Sequence, residues 1–375
     1  MQNNKENINV NNCQKPKQNY NQIKMDIEIE PNSSNELILS GSTSYSNNTQ
    51  FSMESNNINI YNSNIHFYPE KYNNSNNNQN IKQFEIIKNN QNNKLLSNKN
   101  NKDLFNYIFE SKEECLSFAG EYLDEIYMNL LKDEKQLKYK PKFGYMNVQN
   151  DINQQMRAIL IDWLIEVHFR YKLKSETLFQ TVWIIDTYLS YHQITRAKLQ
   201  LLGIASLLIS CKSQEIYYPQ LNVFIDITDG AYIKSELLEM ENNILKILNF
   251  NIVSPTANDF YNIIAKAFNF DKKEYYLGKY FLESSLIDYN MIKHNSSVIA
   301  VSCAYIVMKF FGVNNYKYLY TSNVIYEENQ EKVIKDAARE IYLLIKNLSK
   351  STLKAIKEKY SLNQFLNVAQ YCEQE

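Results

Sequence analysis

From Leu104 almost to the end of the chain, apolar residues recur at helical spacing, and nowhere is the strict alternation of a half-buried strand sustained. Tyr122, Ile126 and Leu130 fall at i, i+4 and i+8, with Leu123, Tyr127 and Leu131 beside them, so this stretch presents an apolar face. A chain with that period buries its apolar surface by packing helix on helix, and the body is expected to be all-α. Glycine usage then narrows the chemistry. The seven glycines each stand alone, which leaves neither a phosphate-binding P-loop nor a dinucleotide fingerprint. The four histidines, His66, His168, His192 and His294, lie far apart without metal-ligand spacing and read as surface or packing residues. No cofactor and no metal are expected.

Residues 1–103 break the pattern. Stretches such as "YNNSNNNQN" and "IKNNQNNKLLSNKNN" hold too little apolar surface to offset the entropy of ordering, so this segment is expected to be a disordered arm. The formal net charge of −1 gives no general affinity for nucleic acid or anionic membrane. The apolar runs "LLGIASLLISC" and "VIAVSCAYIVM" fall short of the roughly 20 residues that a membrane helix needs. A polar N-terminus without an apolar core segment argues against secretion. The five scattered cysteines, without a C-x-x-C, fit reduced thiols in cytosol or nucleus.

Within the body, "MRAILIDWLIEVHFRY" is apolar on two sides. Met156, Leu160, Trp163 and Val167 make one stripe, and Ala158, Ile161, Ile165 and Phe169 another roughly opposite. Such a helix is either covered on both sides or covered on one and used for binding on the other. Two later segments, "KLQLLGIASLLISCK" and "NSSVIAVSCAYIVMK", set small residues among aliphatics and each end on lysine, Lys212 and Lys309. Small residues permit close helix approach, so both are expected to be central helices of a duplicated unit. Between them, Ser254 and Pro255 are expected to be the N-cap and first residue of a new helix.

The series "KPKFGYM", "MRAILIDWLIEV", "YKLKSETL", "KLQLLGIASLLISCK", "EIYYP", "ITDGAY", "LKILNFNIVSPTANDF", "SSVIA" and "LKAIKEKY" resembles the A/B-type mitotic cyclins, in the family's order and spacing. "KPKFGYM" is more similar to the A type. The resemblance implies two tandem five-helix cyclin boxes at 151–254 and 255–350. It also implies an N-terminal helix near 111–132 within a lead-in of 104–150, and a C-terminal helix and tail at 351–375. A cyclin is not an enzyme. It binds the catalytic subunit of a cyclin-dependent kinase and holds the kinase αC helix inward, shifting the kinase toward its active conformer.

Lys212, Glu241, Leu245 and Phe250 match the family's kinase interface, as a charge pair among apolar contacts. Ser213 and Gln214 depart from it, since the family usually has an aromatic and an acidic residue there. Met156, Ile159, Leu160, Trp163, Glu166 and Gln200 match its docking patch for substrates and inhibitors carrying Arg-x-Leu, with Glu166 facing the arginine and Leu160 and Trp163 the leucine. On that reading one stripe of the two-sided helix is core and the other a shallow exposed groove. Arg157 and Asp186 match a buried ion pair. Asp186 sits inside the apolar run "VWIIDTYLS", where an unpaired carboxylate would be costly.

Mitotic cyclins are removed through short signals in their N-terminal arms. The first arginine of this chain is Arg157, so the arm has no Arg-x-x-Leu box, but it does carry Lys5-Glu6-Asn7. KEN is the other signal read by the same mitotic ubiquitin ligase. Nucleus and cytoplasm are the expected locations, although no compact Lys/Arg cluster marks an import route. Two alternatives remain at this point: a cyclin-fold scaffold that binds no kinase, which Ser213 and Gln214 favour, and a transcription factor IIB-like factor. The latter would show a basic second domain and a zinc ribbon, and neither is visible.

Overall fold

The structure, a computed structural model, describes residues 122–317, 319 and 329–372. The arm at 1–103, with Lys5, Glu6 and Asn7, lies outside the described residues. Among the described residues there is no strand. Among the described residues, a leading helix, α1 (Leu123–Gln136), is followed by two helical bundles in tandem with five α-helices each, the last of them lying at 355–360, past the expected limit of 350. The first holds α2 (Gln154–Arg170), α3 (Ser175–Tyr191), α4 (Arg196–Gln214), α5 (Leu221–Ile227) and α6 (Lys234–Ile247). The second holds α7 (Ala257–Ala267), α8 (Lys272–Ile287), α9 (Ser296–Phe310), α10 (Gln330–Leu348) and α11 (Ala355–Tyr360).

The small-residue helices α4 and α9 each run through the centre of a core. Ala205 and Ser206 are buried on α4, and Ala300, Ser302 and Ala304 on α9. Gly203 shows why small size matters: a Cβ there would meet Leu160 Cδ1 at 2.7 Å, so the glycine lets α4 close down on α2.

Helix α2 lies between the two cores. Met156, Leu160, Leu164 and Val167 enter the first, and Ile161 and Ile165 enter the second. Met156, Leu160 and Val167 of the first stripe are thus core, while Trp163 stays half-buried, so the face expected to be a groove has a narrower exposed part than its spacing suggested. Helix α1 belongs with the second core. Leu123, Tyr127 and Leu131 pack into the second core, with Tyr127 edge-on to Phe260 at 5.5 Å. This helix ends at Gln136, four residues beyond the expected 132, and Glu134 in its last turn reaches the start of α9. Its carboxylate accepts from the Ser297 backbone N–H at 2.9 Å and from Ser297 Oγ at 2.6 Å. An acceptor at a helix N-terminus satisfies donors that the helix itself leaves unpaired.

The start of α7 also differs from expectation. Thr256, not Ser254, is the N-cap, and Ala257, not Pro255, is the first helical residue. The Thr256 N–H donates to Asp259 Oδ2 at 2.8 Å, so a Thr-x-x-Asp capping arrangement sets the boundary. Proline ahead of the cap costs nothing there, since no helical hydrogen bond needs its missing N–H.

Two buried charge clusters hold the bundles. Arg157 on α2 donates through Nε to Asp186 Oδ1 and through Nη2 to Asp186 Oδ2, both at 2.6 Å. Its Nη1 donates to the carbonyls of Leu286 and Ile287, each at 3.1 Å, at the end of α8. Tyr145 donates its hydroxyl to Asp186 Oδ1 at 2.8 Å. The second cluster sets Lys359 of α11 against Glu283 of α8, at 2.8 and 2.6 Å to its two carboxylate oxygens. His168 is buried near it, and burial pushes its pKa down to about 4, so the imidazole is neutral at pH 7.

Candidate functional site

The first candidate face is formed where the end of α4 meets the middle of α6. Lys212, in the last turn of α4, places Nζ 2.5 Å from Glu241 Oε1 in the middle of α6. Leu245 lies one turn further along α6, half-buried against the first core. Past α6 the chain reverses through two consecutive left-handed residues, Asn249 at φ 49° and Phe250 at φ 58°. The Phe250 N–H donates to the Leu245 carbonyl at 2.8 Å, closing the helix end. A phenylalanine held in this backbone region costs on the order of 1–3 kcal/mol. The reversal leaves the Phe250 side chain 68% exposed. Exposed Val253 follows it, and beyond α4 come exposed Ile216 and Tyr217, the latter at 91%. Large apolar side chains this exposed mark a surface suited to a protein partner.

Ser213, next to Lys212, is exposed. Gln214 turns inward: its Nε2 donates to Gln180 Oε1 at 2.7 Å, and Gln180 Nε2 donates to the Ile252 carbonyl at 2.9 Å. Sequence reasoning singled out Gln214 but missed Gln180, whose partner lies 72 residues away along the chain.

The second candidate face is what α2 leaves uncovered. Met156 and Leu160 are 1% and 3% exposed, so they form the floor rather than the surface. Ile159, Trp163 and Gln200 are half-buried, and Glu166 is exposed. Glu166 Oε1 accepts from Arg170 Nη2 at 2.7 Å, an i,i+4 pair that a competing guanidinium would have to displace. Beside Glu166 opens a cavity of about 430 Å³, lined also by Asp162, Phe169, Lys354, Glu358 and Lys359. Asp162 Oδ1 accepts from the Ala355 N–H at 3.1 Å, and burial raises its pKa to about 6. Asp162 and Glu358 were not singled out from sequence, because α11 meets α2 across almost two hundred residues.

Among the described residues, no cluster of three or more His, Cys, Asp and Glu side chains could hold a metal ion, and no helix is long and apolar enough to cross a membrane.

Comparison with known proteins gives this architecture its family. The family model described as "Cyclin, N-terminal domain" matches residues 125–253, and "Cyclin, C-terminal domain" matches residues 255–374. The chain is 34% identical over 253 residues to the G2/mitotic-specific cyclin-B of Hydra vulgaris, covering 68% of each chain. It is 33% identical over 268 residues to that of Marthasterias glacialis, covering 72% of this chain and 67% of the relative. Human G2/mitotic-specific cyclin-B2 is 34% identical over 271 residues, covering 72% of this chain and 65% of the relative. All three carry B-type names, while the similarity to the A type rests on "KPKFGYM" alone. Two family domains in tandem, over two helical bundles, place this chain in the cyclin family, among its mitotic A/B-type members.

Proposed function

We propose that this chain is the non-catalytic regulatory subunit of a cyclin-dependent protein kinase, activating it and recruiting its substrates during the cell cycle. The observation that carries the proposal is the Lys212–Glu241 pair, with half-buried Leu245 one turn further along α6 and outward-turned Phe250 just past the helix end. A charge pair fixes the register of a partner, and the exposed aromatic supplies the apolar contact that dominates such interfaces. The partner is a kinase catalytic subunit. Binding its active conformer more tightly than its inactive one is all that activation requires. Pull-down of the chain from cell extract, followed by a histone phosphorylation assay, tests this. Recovered kinase activity supports it, and pull-down without kinase favours a scaffold.

Substrate recruitment is assigned to the uncovered face of α2. Trp163 and Ile159 offer apolar contact over a floor of Leu160 and Met156, Gln200 borders it, and Glu166 offers a carboxylate to the arginine of Arg-x-Leu. The two key residues are expected to separate on mutation. Trp163→Ala removes roughly 1.5–3 kcal/mol of apolar contact, and is expected to raise KM about 10- to 150-fold for substrates carrying Arg-x-Leu. Peptides lacking the motif should keep their KM, because the patch acts away from the phosphoryl group. Leu160→Ala opens a cavity in the first core and is expected to lower stability by about 2–5 kcal/mol. Steady-state kinetics and thermal unfolding of the two variants check both statements.

Turnover is assigned to Lys5-Glu6-Asn7 as a signal for the mitotic ubiquitin ligase, and the site of action to nucleus and cytoplasm. Replacing the three residues by alanine is expected to lengthen the protein's lifetime at mitotic exit without changing kinase activation. Equal half-lives in a pulse-chase experiment would remove the assignment.

A further inference from the structure

The turn Asn249–Val253 carries Phe250 in a left-handed backbone conformation that an L-residue adopts at a cost. Its internal hydrogen bonds are short-range: Phe250 N–H to Leu245 O, Ile252 N–H to Phe250 O, and Asn251 Nδ2 to the Leu248 and Asn249 carbonyls. Gln180, on α3, ties this turn to the body from outside. Its side chain is buried, 3% exposed, and its Nε2 reaches the Ile252 carbonyl.

The direction of that bond is forced. A carbonyl only accepts, so Gln180 must present its NH₂ to Ile252 and its oxygen to the other side. There the oxygen meets Gln214 Nε2. Position 214 must therefore donate. Glutamine does so, whereas an ionised glutamate would set two acceptors against each other. Were Gln180 to flip and relieve that clash, its oxygen would face the Ile252 carbonyl instead. The end of α4 that carries Gln214 is itself fixed to the start of α3. Lys174 Nζ donates to the Gln214 carbonyl at 2.8 Å, and Glu215 Oε1 accepts from the Lys174 N–H at 2.7 Å and Thr177 Oγ1 at 2.6 Å.

We infer that Gln214 and Gln180 are positioning residues: an oriented amide relay that holds the Asn249–Val253 turn so that Phe250 is presented to the kinase from the end of α6. This deepens the proposed kinase interface and rests on it. It also gives a role to a departure from the family pattern. The usual acidic residue at 214 is incompatible with Gln180, and restoring it should harm rather than help this chain.

The test uses the full chain and a purified cyclin-dependent kinase catalytic subunit that binds it, with Gln214→Glu, Gln180→Leu, Phe250→Ala and their combinations. Gln214→Glu is expected to weaken kinase binding about 10-fold, the size of one well-placed hydrogen bond. Combined with Phe250→Ala it should weaken binding no further than Phe250→Ala alone, because the relay acts through that side chain. In the free chain, amide hydrogen exchange over residues 249–253 should rise in Gln214→Glu and in Gln180→Leu, with the melting temperature of Gln214→Glu near that of the parent. Unchanged or tighter binding by Gln214→Glu overturns the inference. So does an equal loss with and without Phe250, which would mean a general structural effect, and so does unchanged exchange in the turn. Parent-like binding by Phe250→Ala would instead overturn the kinase-interface reading, and with it the presenting role of the relay. Exchange in the free chain still reports whether the relay orders the turn. Gln214 is only partly buried at a helix end, so this variant keeps the test decisive if Gln180→Leu fails to fold.

Discussion

Arg157→Ala is expected to lower the unfolding free energy by about 3–5 kcal/mol, the cost of leaving one partner of a buried ion pair alone. The arginine and Asp186 are almost fully enclosed, with side-chain exposures of 2% and 5%. Removing the guanidinium leaves the Asp186 carboxylate with Tyr145 as its remaining side-chain donor, and strips the Leu286 and Ile287 carbonyls of the same cation. Because those carbonyls belong to α8, the loss acts on the seam between the bundles as well as on the first core. Tyr145→Phe removes one hydrogen bond and no charge, and should cost only about 1 kcal/mol. Urea unfolding of the two variants measures the contrast. A loss under 1 kcal/mol for Arg157→Ala would mean that the pair is open to water in solution.

Glu241→Lys is expected to abolish co-purification with the kinase, weakening binding by more than about 100-fold. The substitution sets a second cation against Lys212 Nζ, which now lies 2.5 Å from the Glu241 carboxylate, and removes the acceptor that holds Lys212 in place. Lys212 is 40% exposed but Glu241 only 12%, so the substitution also costs some stability, which has to be measured beside the loss of binding. Circular dichroism and a pull-down separate loss of binding from loss of fold. The double variant Lys212→Glu with Glu241→Lys restores the internal attraction with the charges exchanged. Binding restored by the swap would show that the pair serves the chain's own structure, and continued loss that the partner reads its polarity.

How much of this was legible in the sequence depends on how far apart the interacting residues lie. The period of 3.6 revealed α2 as apolar on opposite sides, but period cannot say what covers a side. Ile161 and Ile165 meet a core assembled mainly from residues beyond 256, and Leu160 meets Gly203, so Met156 and Leu160 form a floor and Trp163 is what that stripe leaves half-exposed. The strained reversal at Asn249 and Phe250 has no glycine to announce it, and the Ile252 carbonyl that orients Gln180 depends on that reversal. Asp186 was conspicuous because a carboxylate amid "VWIIDTYLS" needs a partner. Its second companion, Tyr145, gives no such sign, since a tyrosine among apolar residues is unremarked. At the start of α7 two signals competed within three residues, and the bonds from Thr256 N–H and Oγ1 to Asp259 Oδ2 prevailed over Ser254-Pro255.

The rate of phosphoryl transfer by a purified cyclin-dependent kinase catalytic subunit, measured with and without a saturating amount of this chain, tests its role as an activating subunit most directly. The chain alone should transfer no phosphate to histone, and should raise the rate of its partner by at least about two orders of magnitude, with Glu241→Lys failing to do so. A rate left unchanged by a chain that demonstrably binds the kinase would contradict activation and leave a scaffold in its place.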